Sequence, residues 1–81
     1  MDWDVLLVRP LPNFHIYVEL RSGSKGTCDL GPFLAYEAFE ALKEPAYFAQ
    51  AGIVAGAVTW PNGEDLAPEI ILTCLQTQAA A

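Results

Sequence analysis

The clearest regularity in the chain is a stretch in which Phe14, Ile16, Val18 and Leu20 alternate with His15, Tyr17, Glu19 and Arg21. A period of two is that of a strand with one face on a core and the other toward water. Before it, Val5-Leu6-Leu7-Val8 reads as a short strand, closed by Arg9-Pro10-Leu11-Pro12-Asn13, where two prolines withdraw backbone donors and favour a turn. After it, Ser22-Gly23-Ser24 supplies a tight turn, and Lys25 to Leu30 can return as a third strand of an antiparallel meander.

The period then changes. Phe33, Leu34, Ala38 and Leu42 fall at helical spacings with Glu37 and Glu40 on the opposite side, which predicts a helix from Phe33 to Lys43, ended by Glu44-Pro45. Tyr47-Phe48 is expected in a short helical turn, and Ile53-Val54, Ala55-Gly56 and Ala57-Val58-Thr59-Trp60 read as a second hairpin. Pro61-Asn62-Gly63 breaks the chain. In the last helix, Leu66, Ile70 and Cys74 recur every four residues beside Ile71 and Leu75, with Asp65 as the expected cap and Pro68 in the first turn. The resulting expectation is an α+β fold with an antiparallel sheet, element order β-β-β-α-β-β-α, and helices on one side of the sheet. It forms one domain over residues 1–81, ordered from about 4 to 75, with a frayed tail from Gln76 to Ala81.

Length limits what such a domain can do. Eighty-one residues bury only roughly 60% of the unfolded surface, which leaves no room for separate catalytic and substrate domains. The apolar share of 53% exceeds what so small a core absorbs, which points to a covered surface, either self-association or another protein. Ten acidic residues against four basic ones give a net charge of −6, and Arg9, Arg21, Lys25 and Lys43 are too dispersed to build a groove for phosphates, so direct nucleic-acid binding is not expected. The run Val5 to Val8 is too short for a signal peptide or a membrane span, and a cytoplasmic location without membrane contact is expected. In that reducing setting Cys28 and Cys74, 46 apart and in no CxxC pair, are expected to be free thiols.

Candidate chemistry is sparse. His15 is the only histidine, so a nucleophilic mechanism would depend on it, with Glu19 or Asp29 as its carboxylate; no G-x-S-x-G setting accompanies it, and a half-exposed strand residue beside Tyr17 is the simpler reading. Glu64, Asp65 and Glu69 are the densest acidic group, but they lack the spacing of an EF-hand loop, and capping and helix-dipole compensation account for them without a metal. Glu37, Glu40 and Glu44 read as a solvated helix face that can also serve a partner. Gly23, Gly26 and Gly31 do not form G-x-G-x-x-G, and no GK[ST] follows, which removes dinucleotide and P-loop sites. No cofactor is expected. Phe33, Phe39, Tyr47, Phe48 and Trp60 are needed for the core, although an aromatic-lined pocket is the alternative use.

Trp60-Pro61-Asn62-Gly63-Glu64-Asp65-Leu66-Ala67-Pro68-Glu69, taken with Asp29-Leu30-Gly31-Pro32 and the stretch from Phe39 to Phe48, resembles a family of small bacterial proteins catalogued as domain of unknown function 2442. The resemblance runs from about Val5 to Leu72, and the W-P-N-G-x-D-[IL]-x-P-E string is its specific part. The sequence departs from the pattern at Arg21-Ser22-Gly23-Ser24, where a simple Asp-Gly is usual, and it extends beyond the expected end from Gln76 to Ala81. The resemblance implies an α+β fold, no established activity, members that stand alone or are fused to a helix-turn-helix domain, and gene neighbours that suggest a toxin-antitoxin-like or other regulatory pairing. No helix-turn-helix stands in this sequence, so any DNA contact would come through a partner.

The expected function is therefore a non-enzymatic interaction or regulatory module that binds a protein through a sheet face or edge. The alternative is a small-molecule binder with an aromatic-lined pocket near Trp60 and Tyr47, anchored by Asp65 or Glu69. The residues expected to take part in an interaction or pocket are His15, Tyr17, Tyr47, Trp60, Asn62, Asp65 and Glu69.

Overall fold

A computed structural model of the chain describes residues 3–79, with side chains described as far as Leu75. Two three-stranded antiparallel sheets form it: β1 (Val5–Leu11), β2 (His15–Leu20) and β3 (Lys25–Asp29) in the order β1-β2-β3, then β4 (Gly52–Val54), β5 (Ala57–Thr59) and β6 (Asp65–Leu66) in the order β4-β5-β6. Between the sheets lie two 3-10 segments, Gly31–Ala35 and Glu37–Lys43, and a one-turn helix α1 (Pro45–Phe48); helix α2 (Pro68–Ala79) ends the described chain. The α+β class agrees with the sequence pattern, and the order of strands and helices matches it roughly, with β6 as a further strand. The strands are divided between two sheets where one sheet was expected, joined at the start of β1 by the Val5 N–H donating to Gly56 O at 2.9 Å. The expected fraying from Gln76 to Ala81 falls largely outside the described residues.

The alternation in β2 does what its period implies, since Ile16, Val18 and Leu20 are all buried. Phe14, expected on the same face, instead lies in a left-handed turn with Asn13, φ 61° and 62°, and packs edge-on against Phe48 at 5.4 Å. β1 runs through Arg9 and Pro10 to Leu11 where a turn was expected. It is an outer strand of its sheet, and there a proline's missing donor costs little. A bulge between Val5 and Leu7 shifts its register, so Val5, Val8 and Pro10 pair with the core-facing Leu20, Val18 and Ile16.

The helix expected from Phe33 to Lys43 is two 3-10 segments hinged at Tyr36, whose φ of −85° and ψ of 136° are extended. Bonds from Phe33 N to Leu30 O, Tyr36 N to Phe33 O and Phe39 N to Tyr36 O close three-residue turns. The second hairpin has the expected two-residue turn, with Ala55 and Gly56 both at positive φ (52° and 80°), the geometry that matches strand twist.

The largest correction concerns the last element. Asp65 does not cap a helix; Asp65 and Leu66 form β6, with Thr59↔Asp65 and Val58↔Leu66 in register, and α2 begins at Pro68 behind Ala67, whose carbonyl accepts from Ile70 and Ile71. Trp60 to Gly63 is thus the turn of a third hairpin, closed by the Gly63 N–H on Trp60 O around Pro61 and Asn62, with Gly63 at φ 101°. The helix buries Ile71 and Leu75; half-buried Cys74 packs against the core and also borders a surface groove, whereas Ile70, expected in the core, is exposed beside that groove. The two cysteines are not free: Cys28 on β3 and Cys74 on α2 form a disulfide, their Cα atoms 5.9 Å apart. The core face of β3 lies under α2, and this proximity overrides the reading based on compartment.

Candidate functional site

The signature stretch is built from the inside out. Trp60 directly follows β5 and is only 2% exposed, its ring tilted against Phe48 at 5.9 Å and its indole N–H donating to Phe48 O at 3.0 Å. A buried indole needs such a partner, and here the partner is the end of α1. The Trp60 N–H donates to Glu64 O and the Gly63 N–H to Trp60 O, both at 2.9 Å, closing the loop. Half-buried Tyr47 pins it from outside, since its hydroxyl donates to Glu64 Oε1 at 2.5 Å and accepts from the Asn62 N–H at 2.7 Å. Burial, and then the Glu64 hydrogen bond, raise the Tyr47 hydroxyl above its ordinary value of 10.0, while the Asn62 N–H acts the other way.

Asn62 and Asp65 are exposed, and with Ala38, Phe39, Gly63 and Glu64 they border a shallow cavity of about 320 Å³. Tyr47, Trp60, Asn62 and Asp65 are therefore neighbours, as an arrangement around the signature requires, but Trp60 faces the core and its one donor is already used.

His15 and Tyr17 stand elsewhere, on the outward face of the first sheet. His15 pairs across the strands with Leu11 and Asp29, and Tyr17 with Arg9 and Thr27. His15 Nδ1 lies 3.0 Å from Asn13 O and Nε2 lies 4.0 Å from Asp29 Oδ1, so of the two carboxylates considered for it, Asp29 is the one beside the ring. Glu19 instead accepts from the Tyr17 hydroxyl at 2.7 Å, a bond that is the first cause of that hydroxyl's raised pKa.

Glu69 parts from Asp65 and Glu64 because α2 starts three residues after Asp65. It lies in the first turn of α2 and lines the largest of the described concavities, a groove of about 490 Å³ between the Gly31–Ala35 segment, the end of β3 and α2. Pro32, Phe33, Ile70 and Cys74 give it apolar walls, Thr73 a hydroxyl, and Asp29 and Glu69 a carboxylate each. Asp29 is oriented, since its Oδ1 accepts from the Gly31 N–H at 2.8 Å. Ile70 is 39% exposed although it is a large aliphatic residue. Sequence reasoning placed Glu69 among candidate residues but missed Pro32, Thr73 and Asp29 as a groove, and took Ile70 for core; Phe33 and Cys74 pack against the core as expected and border the groove as well. No signal in the sequence separates Ile70 from Ile71, adjacent aliphatic residues of which only the second is buried.

Among the described residues no group of three or more His, Cys, Asp or Glu side chains is placed to hold a metal ion, and no helix is long and apolar enough to cross a membrane. Comparison with curated proteins and with solved structures gives no match. A family model described as "Protein of unknown function (DUF2442)" matches residues 5–74.

Proposed function

From the premise that this chain belongs to the DUF2442 family, we propose that it is a non-enzymatic protein-interaction or regulatory module whose partner seats in the groove beside α2. The observation that carries the reading is the groove itself: an open apolar trough holding an exposed isoleucine and two carboxylates on a chain of net charge −6. Apolar surface of this kind is what partners cover. The signature loop serves the scaffold, because Trp60 and Tyr47 spend their polar atoms on Phe48 O, Glu64 and Asn62. The reading extends to a cytoplasmic protein, to one half of a toxin-antitoxin-like pair as its regulatory setting, and to partners that are proteins or a second copy, with no direct contact to nucleic acid or membrane. The acidic balance supports a basic protein in that role.

A second reading, a small-molecule site, draws on the groove volume of about 490 Å³, which lies within the span of roughly 300–1,000 Å³ usual for ligand pockets.

A photo-cross-linking residue in place of Thr73, which is exposed and lines the groove, tests the main reading in the native host. A defined one-to-one protein complex that forms from this position, fails to form with the same label at Ser22 in the β2–β3 turn, and disappears on Ile70→Asp is the expected result. No protein adduct at Thr73, combined with a melting temperature raised by a metabolite, would transfer the groove to the second reading.

A further inference from the structure

We propose that the groove beside α2 takes an extended segment of a basic partner protein, with an apolar side chain seated on Phe33 and Ile70 and lysine or arginine on either side of it. This rests on the interaction reading above and names the chemistry of its occupant.

The argument is one of complementarity. The groove walls contribute two carboxylates and no basic side chain, and the four Lys and Arg of the chain, at positions 9, 21, 25 and 43, all lie outside it. The acids belong to different elements, Asp29 at the end of β3 and Glu69 in the first turn of α2, with apolar Ile70, Cys74, Pro32 and Phe33 as their companions in the lining. A bound apolar group flanked by cations would meet a carboxylate from either wall, and lysine or arginine stems can lie along apolar surface while their charged heads reach the acids. The Asp29 Oδ1 accepts from the Gly31 N–H and lies 4.0 Å from His15 Nε2, and the side chain remains 47% exposed. Anionic occupants, nucleic acid among them, face two like charges there. A second copy of the chain brings its own net charge of −6 to the contact and is disfavoured on the same ground.

The test uses the intact protein and two fluorescein-labelled peptides that share a central Leu-Phe pair, one flanked by Lys-Lys on both sides and one by Glu-Glu. Saturable binding of the basic peptide is expected, with none measurable for the acidic one. Glu69→Gln and Asp29→Asn should each weaken it by about twofold to fivefold, the range of exposed ion pairs; the asparagine keeps an oxygen for the Gly31 N–H, so that variant retains its turn. Ile70→Ala should also weaken it. Glu37→Gln and Glu40→Gln remove the same charge from the second 3-10 segment and should leave binding within experimental error.

Equal binding of the two peptides, or an equal loss from the Glu37 and Glu40 variants, would overturn the proposal by showing that charge acts without the groove. A dimer in light scattering that Ile70→Asp dissolves would overturn it in favour of a second copy. A partner cross-linked at Thr73 through an acidic segment would overturn the occupant and leave the interaction reading standing, whereas the absence of any partner at Thr73 removes both.

Discussion

Trp60 shows at the level of one side chain why the signature belongs to the scaffold. Its ring is buried and its indole bond ties β5 to α1, so Trp60→Ala removes both packing and the partner of Phe48 O; chemical denaturation should show a loss of about 3–5 kcal/mol. Asp65 gives the opposite expectation. As a cap it would contribute about 0.5–2 kcal/mol. As the exposed first residue of β6 it should cost less than about 0.5 kcal/mol on replacement by alanine, and the same denaturation series separates the two. Tyr47 adds a pH test. Its hydroxyl is held protonated in the folded chain above the 10.0 at which it ionises when unfolded, so its contribution is complete below pH 10.0 and is lost as pH rises through the folded value. Melting curves from pH 8 to 11 should show wild type more stable than Tyr47→Phe at the low end, with the gap narrowing above 10.0. Trp60 as a strand-ending core residue was legible in the sequence, because a tryptophan before a proline turn has few other uses. The hydrogen bonds of Tyr47 were not, since they join residues 15 and 17 apart that only the packing of α1 on the loop brings together.

Elements were legible in proportion to how far local pattern alone decides them. β2 and the β4–β5 hairpin follow their periodicity and turn residues. β6 did not stand out because two residues have no period, and its sign was the Asn-Gly pair, which favours a hairpin as readily as a break. Ile71 and Leu75 carry the buried face of α2, and Ile70 beside them stays exposed at the groove. The split of the Phe33–Lys43 stretch at Tyr36 was hidden because spacings of three and four both suit an amphipathic helix. The disulfide was invisible for another reason: a separation of 46 residues carries no sign of pairing until α2 is laid on β3. Closing a loop of that length stabilises the fold by about 4 kcal/mol in the chain-entropy account. Urea unfolding with and without dithiothreitol, and of Cys74→Ser, should show a loss of that order.

At the scale of the whole molecule, two small sheets, short helical segments and one disulfide enclose a core that takes up most of the aromatic residues, leaving an acidic exterior that includes the apolar trough beside α2. The composition already indicated surplus apolar surface and negative charge, and no pattern along the chain could place them together, because Asp29, Phe33 and Ile70 come from three separate elements. Amide chemical-shift mapping of the ¹⁵N-labelled protein during titration with the lysine-flanked Leu-Phe peptide tests this division of labour most directly. The account predicts shifts concentrated at Asp29, Phe33, Ile70 and Thr73, with Asn62 to Asp65 unmoved. Shifts centred on Asn62 to Asp65, with the α2 groove silent, would contradict it.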